Sequence, residues 1–286
     1  FFFKQKTAYE IVDCDWSSDV CSSDLKRLDC DNAAGSTNPA CILPALDADL
    51  QPTSFAREVS SFESWVTAKT GWSNFLLPML KTAPAWTLFR AGVLNSLILI
   101  AGALVATFLF AVLMGALLGS RLAVLRWPAR ALTVVLQSSP IVLTLVIAAA
   151  LSQALFAYSD AVAIGAAIVA LGLTNGSNAG QAISEAMSTL RTEHERLGQG
   201  SAELFKHSLG RSSAQLVSFL VNAAKGTPIA AFIGAPELLS SLTDITSFSA
   251  GRVTTYWLLL IFYIVVVMIV VWLCNRLQDW LARSLA

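Results

Sequence analysis

Long apolar runs alternate with short charged segments from about residue 91 to residue 286. Several of these runs approach or exceed the roughly 20 residues that a helix needs to cross a bilayer. The pattern therefore predicts an all-α, polytopic helical membrane protein with about five transmembrane helices. The predicted membrane spans are residues 91–119, 132–156, 161–182, 216–234 and 255–274.

The positions of Lys and Arg between these spans predict the orientation of the chain. Basic residues follow the first span, fill the segment 191–211 after the third span, and follow the fifth span, whereas Arg252 alone lies in the alternate loops. Because cytoplasmic loops are enriched in Lys and Arg, we expect the C-terminus in the cytoplasm and the segment before the first span outside. The segment 191–211 itself is either a short amphipathic helical hairpin or a solvated connector.

Composition narrows the class of protein. Of the 286 residues, 55% are hydrophobic and 13% are charged, which excludes an ordinary soluble domain. The formal net charge is zero, so no basic surface suggests binding of nucleic acid. No Gly-rich phosphate loop occurs, and therefore the chain is not expected to hydrolyse ATP by itself. His194 and His207 lack the further ligands of a metal site, and none is expected.

The N-terminal segment fits neither a signal peptide nor a membrane helix. Its strings "KQKTAYEI" and "DWSSDVCSSDL" resemble the conceptual translation of a sequencing-library adapter, and we interpret residues 1–25 as non-native, with the true N-terminus unknown. Residues 26–85 are polar and are expected to be a truncated N-terminal segment outside the cytoplasm. Cys30 and Cys41 in this segment form a disulfide if the compartment is oxidising, and two free thiols if it is reducing.

Two further patterns within this chain leave alternatives open. Trp65, Trp72 and Phe75 precede the first span, and they suit either a membrane interface or a small soluble helix. The third span contains "TNGSNAGQ", in which Asn178 and Gln181 face either a partner helix or a wet cavity. In the same span, glycines recur at the small-xxx-small spacing of closely packed helices. These glycines are Gly172, Gly176 and Gly180.

The fourth span contains a lysine, Lys225, and a helix-breaking proline, Pro228. A lysine in hydrocarbon costs about 2.5–3.5 kcal/mol on insertion scales, and proline lacks a backbone donor. Such a break is tolerated where the freed backbone groups meet protein or water, and transporters use it to bind polar substrates. The alternatives are a kink without a functional role, and a Lys225 that snorkels or pairs with Glu185. The predicted substrate path is Asn178, Gln181, Lys225, Gly226, Thr227 and Pro228.

The strings "KGTPIAAFIGAPELL" and "FSAGRVTTYWLLLIFYIVVVMIVVWLCNRLQ" resemble the end of the membrane-spanning permease subunits of ABC importers for polar amino acids. That family has Lys-Asp-Thr-Ser-Leu followed by Ile-Gly-x-Pro-Glu-Leu, and here Gly226 and Pro228 replace the Asp and the Ser. "LNSLILIAGALVA" resembles the first span of the family. The resemblance covers about residues 86–283, so we expect the transmembrane domain of an ABC importer over residues 86–286.

The resemblance implies the type I ABC importer permease fold and translocation of a polar amino acid by alternating access. It also implies the partners: separate ABC ATPase subunits that bind ATP, a second permease subunit in a homo- or heterodimer, and a periplasmic substrate-binding protein. No cofactor is expected in this chain, and the implied location is the bacterial cytoplasmic (inner) membrane. "LGQGSAELFKHSLGR" resembles the loop that couples to the ATPase. The implied coupling residues are Glu193, Glu195, Gly198, Phe205 and His207.

Besides Gly226 and Pro228, the sequence departs from the family in the coupling loop and in the third span, which keeps other functions open. "EHER" replaces the Glu-Ala-Ala of the coupling loop, and "QAISEA" replaces Ala-Glu-x-x-Arg in the third span. The alternatives are a divergent scaffold subunit that does not bind substrate, and a permease for another small polar solute. An intramembrane enzyme would require Glu185, Asp160 and a histidine to converge in one cleft.

Overall fold

The computed structural model describes residues 52–72, 75–196, 200–248 and 251–285, and helices account for most of them. The predictions for residues 1–25 and for Cys30 and Cys41 lie outside these ranges. Short 3-10 helices cover Pro78–Leu80 and Thr227–Ile233. The α-helices are α1 (Ala56–Thr70), α2 (Ala83–Gly119), α3 (Ala123–Ser138), α4 (Ile141–Leu155), α5 (Asp160–Arg196), α6 (Ser201–Arg211), α7 (Ser213–Gly226), α8 (Leu238–Phe248) and α9 (Arg252–Leu285).

The helices confirm the all-α class and the approximate number of membrane spans. By length and composition, α2, α5, α9 and the segment Ser213–Ile233 can each cross a membrane, and α3 with α4 can form one more span. The spans predicted from hydropathy are shorter than the helices. Helix α2 begins at Ala83 and α5 continues to Arg196, because helical hydrogen bonding continues into polar residues beyond the apolar run.

The second predicted span, residues 132–156, is not one helix, and that prediction is wrong in its geometry. The chain bends by 116° between α3 and α4. Ser139 is extended, with φ −90° and ψ 131°, because the ring of Pro140 disfavours helical geometry in the residue before it. Pro140 also has no N–H to continue the helical hydrogen bonds. The second span is therefore a broken pair of helices.

Helices α2 and α5 pack along their length through the glycines that the sequence pattern predicted. The contacts pair Gly172 with Ala106, Gly176 with Phe110 and Gly180 with Met114. The two residues of every pair are 66 positions apart, so the two helices run in the same direction. In a membrane, the chain must return between them, and we therefore expect α3 and α4 to cross once as a pair.

The ends of α2 and α5 bring the basic segments together at one end of the bundle, which we call the basic end. Arg191 at the end of α5 donates a hydrogen bond from Nη2 to the carbonyl oxygen of Gly119, at 2.8 Å. Arg121 Nη2 lies 2.6 Å from Glu195 Oε1. The two basic loops thus share one side, as the positive-inside pattern requires; which compartment this side faces stays a prediction.

This arrangement predicts opposite membrane sides for the two ends of the α3–α4 pair. We expect single cysteines introduced by Arg126→Cys and Ala157→Cys, both at exposed positions, to react with an impermeant maleimide from opposite faces of sealed vesicles. Labelling of both positions from the same face would mean that the pair is a re-entrant loop.

Candidate functional site

The fourth span changes helix type at the predicted break. Helix α7 ends at Gly226, and the chain continues as a 3-10 helix from Thr227 to Ile233. Pro228 occupies the first turn of this 3-10 helix, where a missing N–H leaves no hydrogen bond unmade. Gly234 then ends the span with φ +79°, a conformation that favours glycine. The backbone is therefore tightened at the break rather than unwound.

A polar face runs along α7 within this span. Its members are spaced by three or four residues, and their side chains are all exposed, so they lie on one side of the helix. The ammonium group of Lys225 makes no hydrogen bond or ion pair within the part of the chain that the structure describes. Thr227 is fully buried instead, and its Oγ1 donates to the carbonyl oxygen of Ala224 at 2.9 Å. The polar face of α7 consists of Gln215, Ser218, Asn222 and Lys225.

The polar run of α5 is divided between two sides of the helix. Asn175 is buried, and its side chain donates to the carbonyl oxygen of Leu171 in the same helix, at 2.9 Å. Asn178 and Gln181 lie on the partly exposed side, away from the glycines that meet α2. Close packing and a partly exposed polar side therefore coexist in this helix, and whether that polar side faces a wet cavity stays a prediction.

Gln181 is held in a short chain of hydrogen bonds between α3 and α5. Gln137 Nε2 donates to Gln181 Oε1 at 2.6 Å, and Gln181 Nε2 donates to Glu185 Oε1 at 2.9 Å. This contact between the end of α3 and the middle of α5 was not expected from the sequence, because Gln137 is 44 positions away from Gln181.

The structure does not bring all the predicted path residues together. Gly226 lies beside Leu171, since a Cβ atom added to it would be 3.2 Å from Leu171 Cδ2. Gln181 is ten residues further along α5, or about 15 Å at 1.5 Å per residue, and Glu185 about 21 Å. Lys225 therefore does not pair with Glu185 within one chain, and the path residues form two separate groups along the bundle axis.

The coupling residues implied by the resemblance lie at the basic end, except Gly198, which lies outside the described residues. Phe205 is partly buried and packs inward against the hydrophobic cluster of α7 and α9. The ring of His207 contacts that of His194 edge to face, with centroids 5.1 Å apart. Glu193 is exposed, and Glu195 pairs with Arg121. The loop is thus folded against the bundle and presents Glu193 outward.

A buried carboxylate at the opposite end was missed by sequence reasoning. Glu237 is fully buried, and its carboxylate accepts hydrogen bonds from the backbone N–H groups of Leu239 (2.9 Å) and Ser240 (3.0 Å) at the start of α8. The hydroxyl of Tyr263 in α9 also donates to it, at 2.7 Å. Ser96 in α2 accepts from the backbone N–H of Leu238, at 2.9 Å. A negatively charged residue at the start of a helix is favoured by the helix dipole, and this pattern could have drawn attention to the site.

One alternative function depends on Asp160 and Glu185 lying close together. Asp160 and Glu185 belong to the same helix and are 25 residues apart, or about 38 Å along its axis, so they do not converge in a catalytic cleft. Among residues 52–72, 75–196, 200–248 and 251–285, no group of three or more His, Cys, Asp or Glu side chains is placed to hold a metal ion. Asp160 and Glu185 therefore do not form the convergent pair that the intramembrane enzyme considered above would require.

Comparison with known proteins supports the fold. No protein-family model matches the chain, and no curated protein matches it. The chain is similar to a solved structure described as "Crystal structure of an amino acid ABC transporter with histidines", with a TM-score of 0.54 and 16% sequence identity. The match covers 70% of this chain and 94% of that chain. The chain described here therefore has the helical membrane fold of that amino acid ABC transporter chain.

Proposed function

We propose that this chain is the membrane-spanning permease subunit of an ABC importer, which translocates a polar amino acid by alternating access driven by a separate ATPase. The shared fold supports the general class, and the observation that carries the proposal is the polar face of α7. Four polar side chains on the exposed side of a membrane span are unfavourable against lipid, and a central lysine alone costs about 2.5–3.5 kcal/mol there.

A water-filled path shared with a second permease subunit removes this penalty. Polar residues inside membrane proteins face the bundle interior or a wet cavity, and a second copy or a similar subunit would supply the other wall. In this arrangement, the ammonium group of Lys225 binds the carboxylate of the amino acid, while Asn222 and Ser218 offer hydrogen bonds towards the basic end. Asn178 and Gln181 belong to the same path and lie nearer to the basic end than Lys225.

The proposed class of importer implies the partners. We assign ATP binding and hydrolysis to separate ATPase subunits that carry a Gly-rich phosphate loop. We assign their docking surface to the basic end, around α6 and the exposed Glu193. A substrate-binding protein in the periplasm would deliver the amino acid at the end where α8 lies. In this proposal, the chain lies in the bacterial inner membrane and its C-terminus is cytoplasmic.

One alternative is favoured by a specific observation. Thr227 is buried and bonded to its own helix, and Gln181 is occupied by Gln137 and Glu185. Because these two side chains already make hydrogen bonds within the chain, they would have to break them to bind a substrate. The alternative is therefore a scaffold subunit that pairs with a substrate-binding permease. In this alternative, the polar face of α7 packs against that partner rather than against water.

Substitution of Lys225 distinguishes the two functions. In proteoliposomes that contain the importer purified from its native membrane, we expect Lys225→Ala to lower amino acid uptake by about 10- to 100-fold. This range corresponds to loss of a charge-assisted hydrogen bond of about 1.5–3 kcal/mol. Lys225→Arg should retain part of the uptake, and Lys69→Ala, at an exposed lysine in α1, should leave it unchanged.

Two results would contradict the proposal at different levels. Wild-type uptake by Lys225→Ala would remove the substrate role and favour the scaffold alternative. Failure of the purified chain to bring with it an ATPase that carries a phosphate loop would contradict the importer assignment itself.

A further inference from the structure

An exposed aromatic surface on and just after α1 takes no part in the proposed path. The ring of Phe62 lies 6.0 Å from that of Trp65 and 5.9 Å from that of Phe75, and Trp72 lies 5.4 Å from Phe75. Phe62, Trp65 and Trp72 are 49%, 58% and 38% exposed. These four residues form a continuous patch, which we call the α1 aromatic patch. Contiguous exposed apolar surface of this kind usually marks a binding surface.

Helix α1 is fixed to the bundle rather than suspended on a tether. Glu63 on its inner side is buried, pairs with Lys81, and accepts a hydrogen bond from the backbone N–H of Leu77, at 2.6 Å. The backbone N–H of Thr53 donates to the carbonyl oxygen of Lys81, at 3.0 Å. The height of the α1 aromatic patch along the bundle is therefore set by the residues that directly precede α2.

The C-terminal side of the patch is level with the start of the last span. Leu76, next to Phe75, donates its backbone N–H to Thr254 Oγ1 in the first turn of α9, at 3.4 Å. Tyr256 and Trp257 follow in α9 and are 42% and 54% exposed. Tyr and Trp at the ends of spans lie at the level of the lipid headgroups. The patch thus stands beside an aromatic pair at membrane-surface height.

The N-terminal side of α1 is level with the start of the first span. Phe55, directly before α1, packs edge to face on Trp86 of α2, with ring centroids 5.3 Å apart. Arg90, the last charge before the apolar part of α2, lies over the same indole, at 5.9 Å from its centroid. Since both ends of α1 are held at the entries of two spans, the helix runs along the membrane surface.

We propose that α1 is an interfacial helix whose aromatic patch inserts among lipid headgroups at the end of the bundle opposite the basic end. Its exposed charges, Arg57, Glu58 and Lys69, are of both signs, so burial of aromatic surface rather than attraction to anionic lipid holds it there. The occupant is lipid rather than a soluble protein because the patch lies at the height of the two span entries. This inference requires only that α2 and α9 cross a membrane, and it is independent of the transported solute.

Spin-label accessibility in nanodiscs of phosphatidylcholine tests this proposal on the full chain. Lys69→Cys places the label seven residues after Phe62, on the same side of α1, and keeps all four aromatic side chains. Ser64→Cys is the matched control, since Ser64 is exposed on the far side of the same helix. Both labels are introduced after replacement of the native cysteines. We expect the ratio of oxygen to nickel-reagent accessibility to be several-fold higher at position 69 than at position 64.

A third variant connects this difference to the patch. In the chain labelled at position 69, Phe62→Asp should abolish the excess oxygen accessibility, because a carboxylate opposes insertion. Ser60→Asp, at an exposed position on the far side of α1, should retain it. Equal ratios at positions 69 and 64 in the parent chain would overturn the proposal. So would a label at position 69 that is open to the nickel reagent until a soluble protein partner is added, since the patch would then be a protein-docking surface.

Discussion

Gly176→Ala is expected to lower the free energy of unfolding by about 1–3 kcal/mol, the usual range for overpacking a close contact. A Cβ atom at this position would lie 2.5 Å from the Cβ atom of Phe110 and 2.9 Å from the backbone oxygen of Thr107. Because backbone atoms cannot rotate away, α2 and α5 must separate. In a membrane, helix association depends on such packing, since lipid is as apolar as the side chains.

The same helix provides the control for this substitution. Gly165 is also helical, yet a Cβ atom added to it meets no atom within 4 Å. Gly165→Ala should therefore leave the stability unchanged, or raise it by up to about 1 kcal/mol through the better helix propensity of alanine. The measurement is unfolding in mixed micelles of SDS and a mild detergent, followed by circular dichroism. Equal effects of the two substitutions would show that the contact between α2 and α5 is not close.

Glu237→Ala should lower the free energy of unfolding by about 2–4 kcal/mol, because it removes a helix cap and leaves buried donors without an acceptor. The carboxylate accepts from two backbone N–H groups at the start of α8 and from Tyr263 in α9, while Ser96 of α2 contacts the same cluster. The substitution therefore disconnects three helices in one change. Glu237→Gln should have a smaller effect, since its amide oxygen can still accept.

Tyr263→Phe separates two contributions of Glu237 to the free energy of unfolding: the cap of α8 and the hydrogen bond from Tyr263. It removes one donor but leaves the backbone N–H groups of α8 bonded to Glu237, so we expect a loss of only about 1 kcal/mol. The double variant with Glu237→Gln should be less destabilised than the sum of the two single changes, because the two side chains share one hydrogen bond. Both are measured by the micelle titration used for the glycine variants. Wild-type stability of Glu237→Ala would contradict the structural role assigned to this carboxylate.

Several features of the fold were predictable because they depend on neighbours in the sequence. The apolar runs predicted an all-helical membrane fold with about five spans, and the spacing of Gly172, Gly176 and Gly180 predicted a closely packed face of α5. Both are confirmed. Each rests on a local rule, either the length of apolar chain that crosses a bilayer or the helical repeat that aligns small residues.

The candidate site was predicted less completely. Lys225 is exposed and Asn178 is partly exposed, but their place in a substrate path stays a prediction. Thr227 was expected to line the path, whereas its hydroxyl is turned to its own helix. The sequence pattern could not decide this, because it does not record which side of a 3-10 helix faces the neighbouring helices.

The sequence by itself determined the helical class, the approximate number of spans, the helix break next to Pro228 and the charge asymmetry between the loops. Only the tertiary structure decided that α2 and α5 are parallel, that α3 and α4 form a bent pair, and that Glu237 joins α2, α8 and α9. The physical reason is that burial, capping by a distant side chain and hydrogen bonds such as Gln137 to Gln181 depend on residues far apart in the chain. Their proximity is set by packing of whole helices, which no local period in the sequence encodes.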